Sequence, residues 1–338
     1  MNALCKEWAD REKVDLQVDF ITTLGQKHQL TVAAEAAAKA GHDLLVFTGW
    51  AASDHAKLLE PVDDVMADLV KTNGATNRTA EYLGKVDGKW VAVPWAVMSA
   101  MKPPCSRIDL MKQHAGIDVQ AMYPAGSAPK ADNWTWDTFL TAAEKCAKAG
   151  YPFGLPVSQF GDSVDWVGAL FQSFGAQLVN SKGEIIVKSD AVKQVLEYSK
   201  KLVQWLPNDV FSWDDASNNR WLISGKGALI MNPPSAWAVA VKDAPQIGQQ
   251  CWTHGMPSGP KGRYVPFTAN FAGIWTFAKN KPAAKSLLRH LSSPGSVEKL
   301  VAAGQGYDIP SFANLTTFKT WAEMGPPKGT LYHYPNPH

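Results

Sequence analysis

The apolar pattern starts with a short helical stretch and then alternates apolar and polar positions over residues 14–20. Such alternation predicts a half-buried strand. An alanine-rich run from about Gln29 to Gly41 predicts a helix, because alanine favours the helix and glycine ends it. The apolar residues 44–47 then predict a buried strand. Together these elements predict a strand-helix-strand unit with parallel strands and a right-handed crossover.

Two amphipathic helices are predicted in the middle of the chain. Thr135 is the expected N-cap of the first, which Gly150 ends, and apolar residues recur at helical spacing between them. Cys146 belongs to that apolar stripe and is interpreted as a small buried residue. The second helix runs from about Ala191 to Leu206 and ends before proline.

The remaining elements alternate in the same way. Strands are predicted at residues 89–93, 227–231 and 271–278, and helices open near Asn280 and Ser293, each with proline in its first turn. Pro94 excludes a mid-sheet position for its own nitrogen. Because helices and strands alternate without an internal repeat, the sequence predicts an α/β fold.

Length and charge narrow the possible partners. A chain of 338 residues suits one large or two medium domains. Its net charge is +2 and it has no basic stripe, so a nucleic-acid partner is not expected. The longest apolar stretch, residues 91–101, is too short to cross a bilayer, and the first residues lack the pattern of a signal peptide.

The cysteines and histidines predict neither a metal nor a cofactor. The four cysteines lie far apart, with no CxxC and no Cys/His spacing typical of zinc: Cys5, Cys105, Cys146 and Cys251. The sequence leaves open whether these cysteines form one or two disulfide bonds. The histidines are dispersed, and residues 224–227 lack the frame of a phosphate-binding loop.

Aromatic residues are numerous, with 14 Trp, 8 Tyr and 13 Phe. This is more flat aromatic surface than a core normally needs. Sugars present apolar C–H faces and rims of hydroxyls, so a sugar site combines aromatic platforms with Asp, Asn and Arg. The aromatic excess therefore indicates carbohydrate recognition.

Three groups of motifs resemble a known family. They are residues 41–50 (GHDLLVFTGW) with 58–64 (LLEPVDD), residues 88–94 (GKWVAVP) with 107–111 (RIDLM) and 134–139 (WTWDTF), and residues 278–285 (AKNKPAAK) with 291–294 (LSSP) and 307–310 (YDIP). Their order over nearly the whole chain resembles the extracellular solute-binding proteins of ABC importers, in the large sugar-binding group called family 1.

The resemblance implies a two-lobe fold of the type II periplasmic-binding-protein class, with crossing hinge strands and a ligand cleft between the lobes. Residues 1–98 and 268–306 are expected in the first α/β lobe, whose N-terminal strand is absent from this sequence, and residues 99–267 and 307–338 in the second. The implied protein is a monomer outside the cytoplasm that closes around its ligand, needs no cofactor and delivers the ligand to a membrane permease.

Candidate ligand-binding residues follow from strand ends, loop clusters and the family's pattern. Some of these positions also have a structural explanation, because Asp162 and Asn218 stand at the start of predicted helices and Trp95 can equally pack in the hinge. The full set is Thr48, Gly49, Trp50, Trp95, Asp162, Asn218, Trp221, Ser235, Trp237, Asn270 and Phe271.

Two alternatives remain open at this point. A glycoside hydrolase would use two carboxylates, for which Asp162 and Asp215 are the candidates. A binding protein for a polyamine, an organic anion or a glycerophosphate-like solute is the other. An anion site needs convergent cations, and Arg220 and Arg263 are the candidates.

Overall fold

A computed structural model describes residues 1–122, 133–232, 235–304, 306, 308 and 311–318. The chain forms two compact units. The first contains Met1–Ala100 and the described residues of 268–318, and the second contains the described residues of Met101–Phe267. Among the described residues, no helix is both long and apolar enough to cross a membrane.

In the part of the chain that the structure describes, the first unit contains seven α-helices and five strands. The helices are α1 (Asn2–Glu12), α2 (Lys27–Ala38), α3 (Ala51–Asp54), α4 (Asp63–Asn73), α5 (Arg78–Gly84), α13 (Lys281–Leu291) and α14 (Pro294–Ala303). The strands are β1 (Leu44–Thr48), β2 (Lys85–Val86), β3 (Lys89–Trp90), β4 (Val93–Met101) and β10 (Phe267–Ile274).

The main sheet of the first unit has the order β1-β10-β4. Strand β1 is antiparallel to β10, with Phe47 opposite Phe271 and Thr48 opposite Asn270. Strand β4 lies at the edge, where the missing N–H of Pro94 costs no inner ladder bond.

The predicted strand at residues 14–20 is wrong. Residues 14–23 have no regular structure, and Phe20 is exposed. Alternation makes a strand only where a neighbouring strand supplies hydrogen bonds, and β1 pairs with β10 instead. The predicted parallel strand-helix-strand unit is therefore replaced by an antiparallel pair that is distant in sequence.

The second unit contains the other helices and strands. Its helices are α6 (Ile108–Leu110), α7 (Trp136–Lys148), α8 (Gly161–Phe174), α9 (Asp190–Leu202), α10 (Ser217–Ile223), α11 (Ser235–Asp243) and α12 (Pro245–Gly248). Its strands are β5 (Pro104–Arg107), β6 (Leu229–Met231), β7 (Cys251–Thr253), β8 (Ser258–Gly259) and β9 (Gly262–Arg263). Strand β5 lies between β6 and β7 and is antiparallel to both.

The predicted helices of both units are present. Helix α2 ends earlier than predicted, at Ala38, and Lys39 instead of Gly41 is its left-handed C-cap. Ser293 precedes α14 but makes no side-chain cap. Thr135 caps α7 in a reciprocal capping box with Thr138, and the side chain of Asn280 caps α13. Helix α9 ends at Leu202, after which a short 3₁₀ turn completes the predicted span. Strand β10 begins at Phe267, four residues before the predicted start.

The end of the described chain packs in the first unit. The backbone N–H of Asn77 donates to Ser311 O at 3.0 Å, and that of Ala313 donates to Ala75 O at 2.9 Å. These contacts differ from the expectation that residues 307–338 belong to the second lobe. Residues 319–338 lie outside the described part of the chain.

Candidate functional site

Asp162 stands in the first turn of α8, where its side chain is buried. Phe160, which precedes the helix, provides no side-chain cap. The N-terminus of a helix carries a partial positive charge, so a carboxylate is stabilised at this position. Asp162 therefore stands at the start of a helix, as the sequence predicts. It is also a buried polar group, which needs hydrogen-bond partners.

Both oxygens of the Asp162 carboxylate accept hydrogen bonds within the second unit. Lys102 Nζ donates to Oδ1 at 2.9 Å. Asn218 Nδ2 donates to Oδ2 at 2.7 Å, and Asn232 Nδ2 donates to the same oxygen at 3.2 Å. Asn232 Nδ2 also lies 2.8 Å from Asn218 Oδ1, so the two amides are linked to each other. The carboxylate is therefore held by one cation and two amides.

Lys102 joins a second carboxylate to this network. Its Nζ lies 2.5 Å from Asp165 Oδ2, one helical turn beyond Asp162. Burial alone would lower the pKa of Lys102, but the charges of Asp162 and Asp165 outweigh burial and raise it. Lys102 is therefore a permanent cation. Burial raises the pKa of Asp165, and Lys102 opposes that rise.

A third carboxylate completes the polar cluster. Asp215, just before α10, accepts a hydrogen bond from the backbone N–H of Asp162 at 3.1 Å. Burial raises its pKa, the hydrogen bond from Asp162 N–H opposes the rise, and the Asp162 charge adds to it. We call Lys102, Asp162, Asp165, Asp215, Asn218 and Asn232 the carboxylate cluster. It carries more negative than positive charge.

The first unit brings four of the candidate residues together at the end of β1. Thr48 lies opposite Asn270 in the strand pairing. Gly49 has a positive φ of 58°, and its N–H donates to Ala269 O at 2.8 Å. This turn leaves Trp50 projecting from the protein with 61% of its surface exposed. Phe271, by contrast, is completely buried.

The aromatic excess is explained mainly by the cores. Nine of the 14 tryptophans are buried, and among the described tryptophans only Trp50 is largely exposed. Trp95 is buried in β4. Trp237, in the first turn of α11, packs against a small apolar cluster, while Ser235 Oγ lies 3.5 Å from Asn232 Oδ1.

Sequence reasoning missed three members of the carboxylate cluster, namely Lys102, Asp165 and Asn232. The spacing of Asp162 and Asp165 places both on one helix face and was an available signal. Lys102 and Asn232 follow strands β4 and β6, but nothing in the sequence shows which strand ends meet. Within the described ranges, no group of three or more His, Cys, Asp and Glu residues could hold a metal ion.

Comparison with known proteins gives one family. A sequence profile described as bacterial extracellular solute-binding protein matches residues 7–326. No curated protein matches the sequence.

Several solved structures resemble this chain along most of its length. A maltose-bound MalE3 from T. maritima is 21% identical, with a TM-score of 0.80 over 96% of this chain and 82% of that one. An ABC transporter solute-binding protein from Thermotoga lettingae TMO bound with α-D-tagatose is 16% identical, with a TM-score of 0.78 over 93% and 78%. Another from Agrobacterium vitis S4 with bound D-mannitol is 20% identical, with a TM-score of 0.71 over 99% and 76%. These similarities confirm the predicted two-lobe α/β binding-protein fold.

Proposed function

The chain belongs to the family of bacterial extracellular solute-binding proteins, and on that premise we propose that it captures a carbohydrate or polyol for an ABC importer. The ligand is released intact to the membrane permease, and the protein acts as a monomer outside the cytoplasm. The maltose, tagatose and mannitol carried by similar structures support this ligand class. Catalysis and a cofactor have no part in the proposal.

The carboxylate cluster is the observation that carries the ligand assignment. Carboxylate oxygens accept hydrogen bonds, and sugar and polyol hydroxyls donate them. Asp165 and Asp215 are each only partly buried, so they offer acceptor oxygens beside the fixed Lys102–Asp162 pair. Ordered acceptors of this kind favour a ligand rich in hydroxyls.

The same cluster disfavours an anionic ligand. Its three carboxylates outnumber its one cation, Lys102, so an added negative charge would meet net repulsion. Of the candidate cations, Arg220 is exposed and paired with Asp214 at 2.8 Å. We therefore propose that organic anions and glycerophosphate-like solutes are less favoured ligands than neutral polyols.

A polyamine or another cationic amine is the second candidate ligand, because the excess of carboxylate charge favours a cation. An ammonium group can donate to Asp165 or Asp215 as a hydroxyl does, with an added charge contribution. Salt distinguishes the two candidate ligands. The affinity for a charged amine at a partly exposed site should fall with increasing ionic strength, whereas the affinity for a neutral sugar or polyol should not.

The hydrolase alternative is disfavoured by the contacts of Asp162. Lys102, Asn218 and Asn232 donate to its two oxygens, so neither oxygen is placed to deliver a proton to a glycosidic bond. We propose that Asp162 organises the site instead of reacting.

The experiment is a thermal-shift screen of the purified protein against neutral sugars, polyols, polyamines and organic acids. It is followed by titration calorimetry and product analysis of each hit. A ligand that binds the folded state raises the melting temperature by mass action. An intact sugar or polyol would support the proposal, whereas a consumed sugar would establish an enzyme. A hit confined to amines or acids would overturn the carbohydrate assignment.

A further inference from the structure

The chain between α8 and α9 forms a hairpin that exposes aliphatic side chains. Val179 bridges to Ile185 in antiparallel pairing, and the N–H of Ile186 donates to Leu178 O at 2.9 Å. Residues that lie opposite each other in such a pair, and residues two apart on one strand, project to the same face. Val179, Ile185 and Val187 therefore share one face, where they are 50%, 78% and 40% exposed.

Helix α9 extends this apolar surface. Its Leu196 side chain is 59% exposed. An open groove of about 680 Å³ lies beside it, and the residues that line the groove include Val187 from the hairpin and Val192 and Leu196 from α9. We call Val179, Ile185, Val187 and Leu196 the aliphatic face. A contiguous exposed set of this kind indicates an interaction surface, whereas a single exposed aliphatic residue does not.

Lysines surround the aliphatic face. Residues 177–201 contain five of them, against three acidic residues: Lys182, Lys188, Lys193, Lys200 and Lys201. Lys188, Lys193 and Lys200 line the groove itself. Among the described residues, only Lys193 of these five has an ion-pair partner, Glu197 at 3.9 Å. The segment carries a net charge of +2, the same as the whole chain, so the net positive charge of the protein is concentrated beside the aliphatic face.

The composition of this surface favours a lipid partner over a protein partner. Protein interfaces are enriched in aromatic residues, methionine and arginine, and they are depleted in lysine. Residues 177–197 contain three lysines and none of the enriched residue types. Lysine beside exposed aliphatic groups is typical of surfaces that lie on a bilayer, because its stem packs in the apolar layer while its ammonium group stays at the lipid phosphates.

We propose that the aliphatic face docks on an anionic lipid bilayer. Its four side chains enter the boundary between headgroups and acyl chains, and the surrounding lysines pair with lipid phosphates. None of these residues belongs to the carboxylate cluster, so the inference goes beyond the proposed function and does not depend on the ligand. Docking would hold the receptor proposed above at the surface where its permease lies.

The test is co-sedimentation of the full chain with lipid vesicles of two compositions. One contains phosphatidylcholine with about 30% phosphatidylglycerol, and the other contains phosphatidylcholine alone. We expect binding to the anionic vesicles and about tenfold weaker binding to the neutral ones. Raising the ionic strength from about 0.05 M to about 0.5 M should weaken binding to the anionic vesicles about fivefold or more, because salt screens the lysine charges.

Two pairs of variants separate the aliphatic contribution from the charged one. Val187→Ser should weaken binding to the anionic vesicles about fivefold, and its control is Val241→Ser, at a valine of α11 with a similar exposure of 38%. Lys188→Gln should also weaken binding about fivefold, and its control is Lys242→Gln, at an exposed lysine of α11. Both controls should bind within about twofold of the wild type.

Three results would overturn the proposal. The first is no binding of the wild type to the anionic vesicles. The second is an equal loss of binding in test and control variants, which would indicate a general attraction of the whole protein to negative charge. The third is a wild-type dimer that Val187→Ser converts to a monomer in light-scattering measurements, which would assign the aliphatic face to a second copy of the chain.

The measurement is independent of the ligand screen and of the folding of any one variant. No sugar or polyol is present, so a failed ligand screen leaves the vesicle result unaffected. All four substitutions are at exposed positions, where changes in stability are small. The comparison of the two vesicle compositions uses the wild-type protein and needs no variant.

Discussion

The indole ring of Trp221 occupies the space that a Cβ atom on Gly227 would need. A Cβ on Gly154 would likewise lie 2.5 Å from Trp221 Cδ1. The indole N–H donates to Pro152 O at 3.1 Å, and the ring of Trp213 packs at a centroid distance of 5.5 Å. Packing inside the second unit therefore fixes the orientation of Trp221. A ligand contact by this ring stays a prediction.

The Gly227→Ala substitution tests that relationship. The new methyl group must displace a rigid ring held on its other side, so we expect a loss of about 1–3 kcal/mol in the free energy of unfolding. Gly168→Ala, in α8, is the matched control because a Cβ there meets nothing within 4 Å. This substitution should raise the free energy of unfolding slightly. Urea denaturation followed by tryptophan fluorescence measures both. Equal stability of the two variants would contradict the packing account.

Asp162→Asn tests the carboxylate cluster. The change leaves Lys102 with one carboxylate partner and replaces an acceptor oxygen by an amide. We expect at least a tenfold loss of affinity for the hit of the ligand screen, and a loss of about 3 kcal/mol in stability. Asp137→Asn, in the first turn of α7 and exposed, is the control. It should leave affinity unchanged and lower stability by no more than about 1 kcal/mol, which is the contribution of an exposed carboxylate at a helix N-terminus. Calorimetry at a temperature where both variants are folded separates binding from stability, and unchanged affinity would remove Asp162 from the proposed site.

Trp50→Ala tests the aromatic residue beside β1. The side chain is 61% exposed, so its removal should change the free energy of unfolding by no more than about 0.5 kcal/mol. If Trp50 stacks on the apolar face of a sugar, affinity should fall at least fivefold. Tyr82→Ala, at another exposed aromatic of the first unit, should leave affinity unchanged. Equal affinities of the two variants would show that Trp50 does not contact the ligand.

His42 makes the stability of the first unit depend on pH. Its Nδ1 contacts Glu35, its Nε2 lies 3.1 Å from Asp19, and Trp275 Nε1 donates to the same Glu35 at 3.0 Å. Partial burial alone would lower the pKa of His42, but the two carboxylates outweigh it and raise the pKa. The stabilisation is therefore complete below pH 6.5 and is lost as the pH rises through the raised pKa.

The measurement compares wild type with His42→Gln by urea denaturation between pH 5.5 and 9. The wild type should be more stable by about 1 kcal/mol at the acidic end, and the difference should shrink towards pH 9. Gln29→Ala, at an exposed residue of α2 that carries no titratable group, is the control and should show no such trend. A difference that is constant across the range would contradict the ion-pair account.

His254 has the opposite pH dependence. Burial lowers its pKa to about 3. Ser106 Oγ donates to Nε2 at 2.8 Å, and Nδ1–H donates to Gly255 O at 3.2 Å, so the neutral ring is fully partnered. Below pH 6.5, His254 is protonated in the unfolded chain but stays neutral in the folded protein. Stability should fall by about 1.4 kcal/mol per pH unit between pH 5.5 and 3 from this residue alone. In His254→Gln the slope of unfolding free energy against pH should decrease, and an unchanged slope would contradict this assignment.

The helices could be predicted from the sequence because their signals are local. Thr135 and Asn280 carry caps that act within one turn of their own positions. The pairing of Leu44–Thr48 with Phe267–Ile274 depends on residues more than 200 positions apart, so no local sequence pattern predicts it. For the same reason, alternation at residues 14–20 predicted a strand that has no partner to form it.

The candidate site, like the fold, could be predicted only in part. Asp162 and Asn218 could be selected because each stands among polar and aromatic residues at a helix start. Lys102 could not, since its role comes from the fold bringing it to α8. The tryptophan count indicated sugar binding, yet core packing accounts for most of it, as buried Trp136 and Trp166 show.

The discontinuous first unit sets the order in which a growing chain can fold. Strand β1 leaves the ribosome long before β10, its only hydrogen-bonded neighbour in the described sheet, and the whole second unit is made in between. Pairing across such a separation closes a long loop and is slow. The first unit therefore cannot finish its sheet until translation is nearly complete.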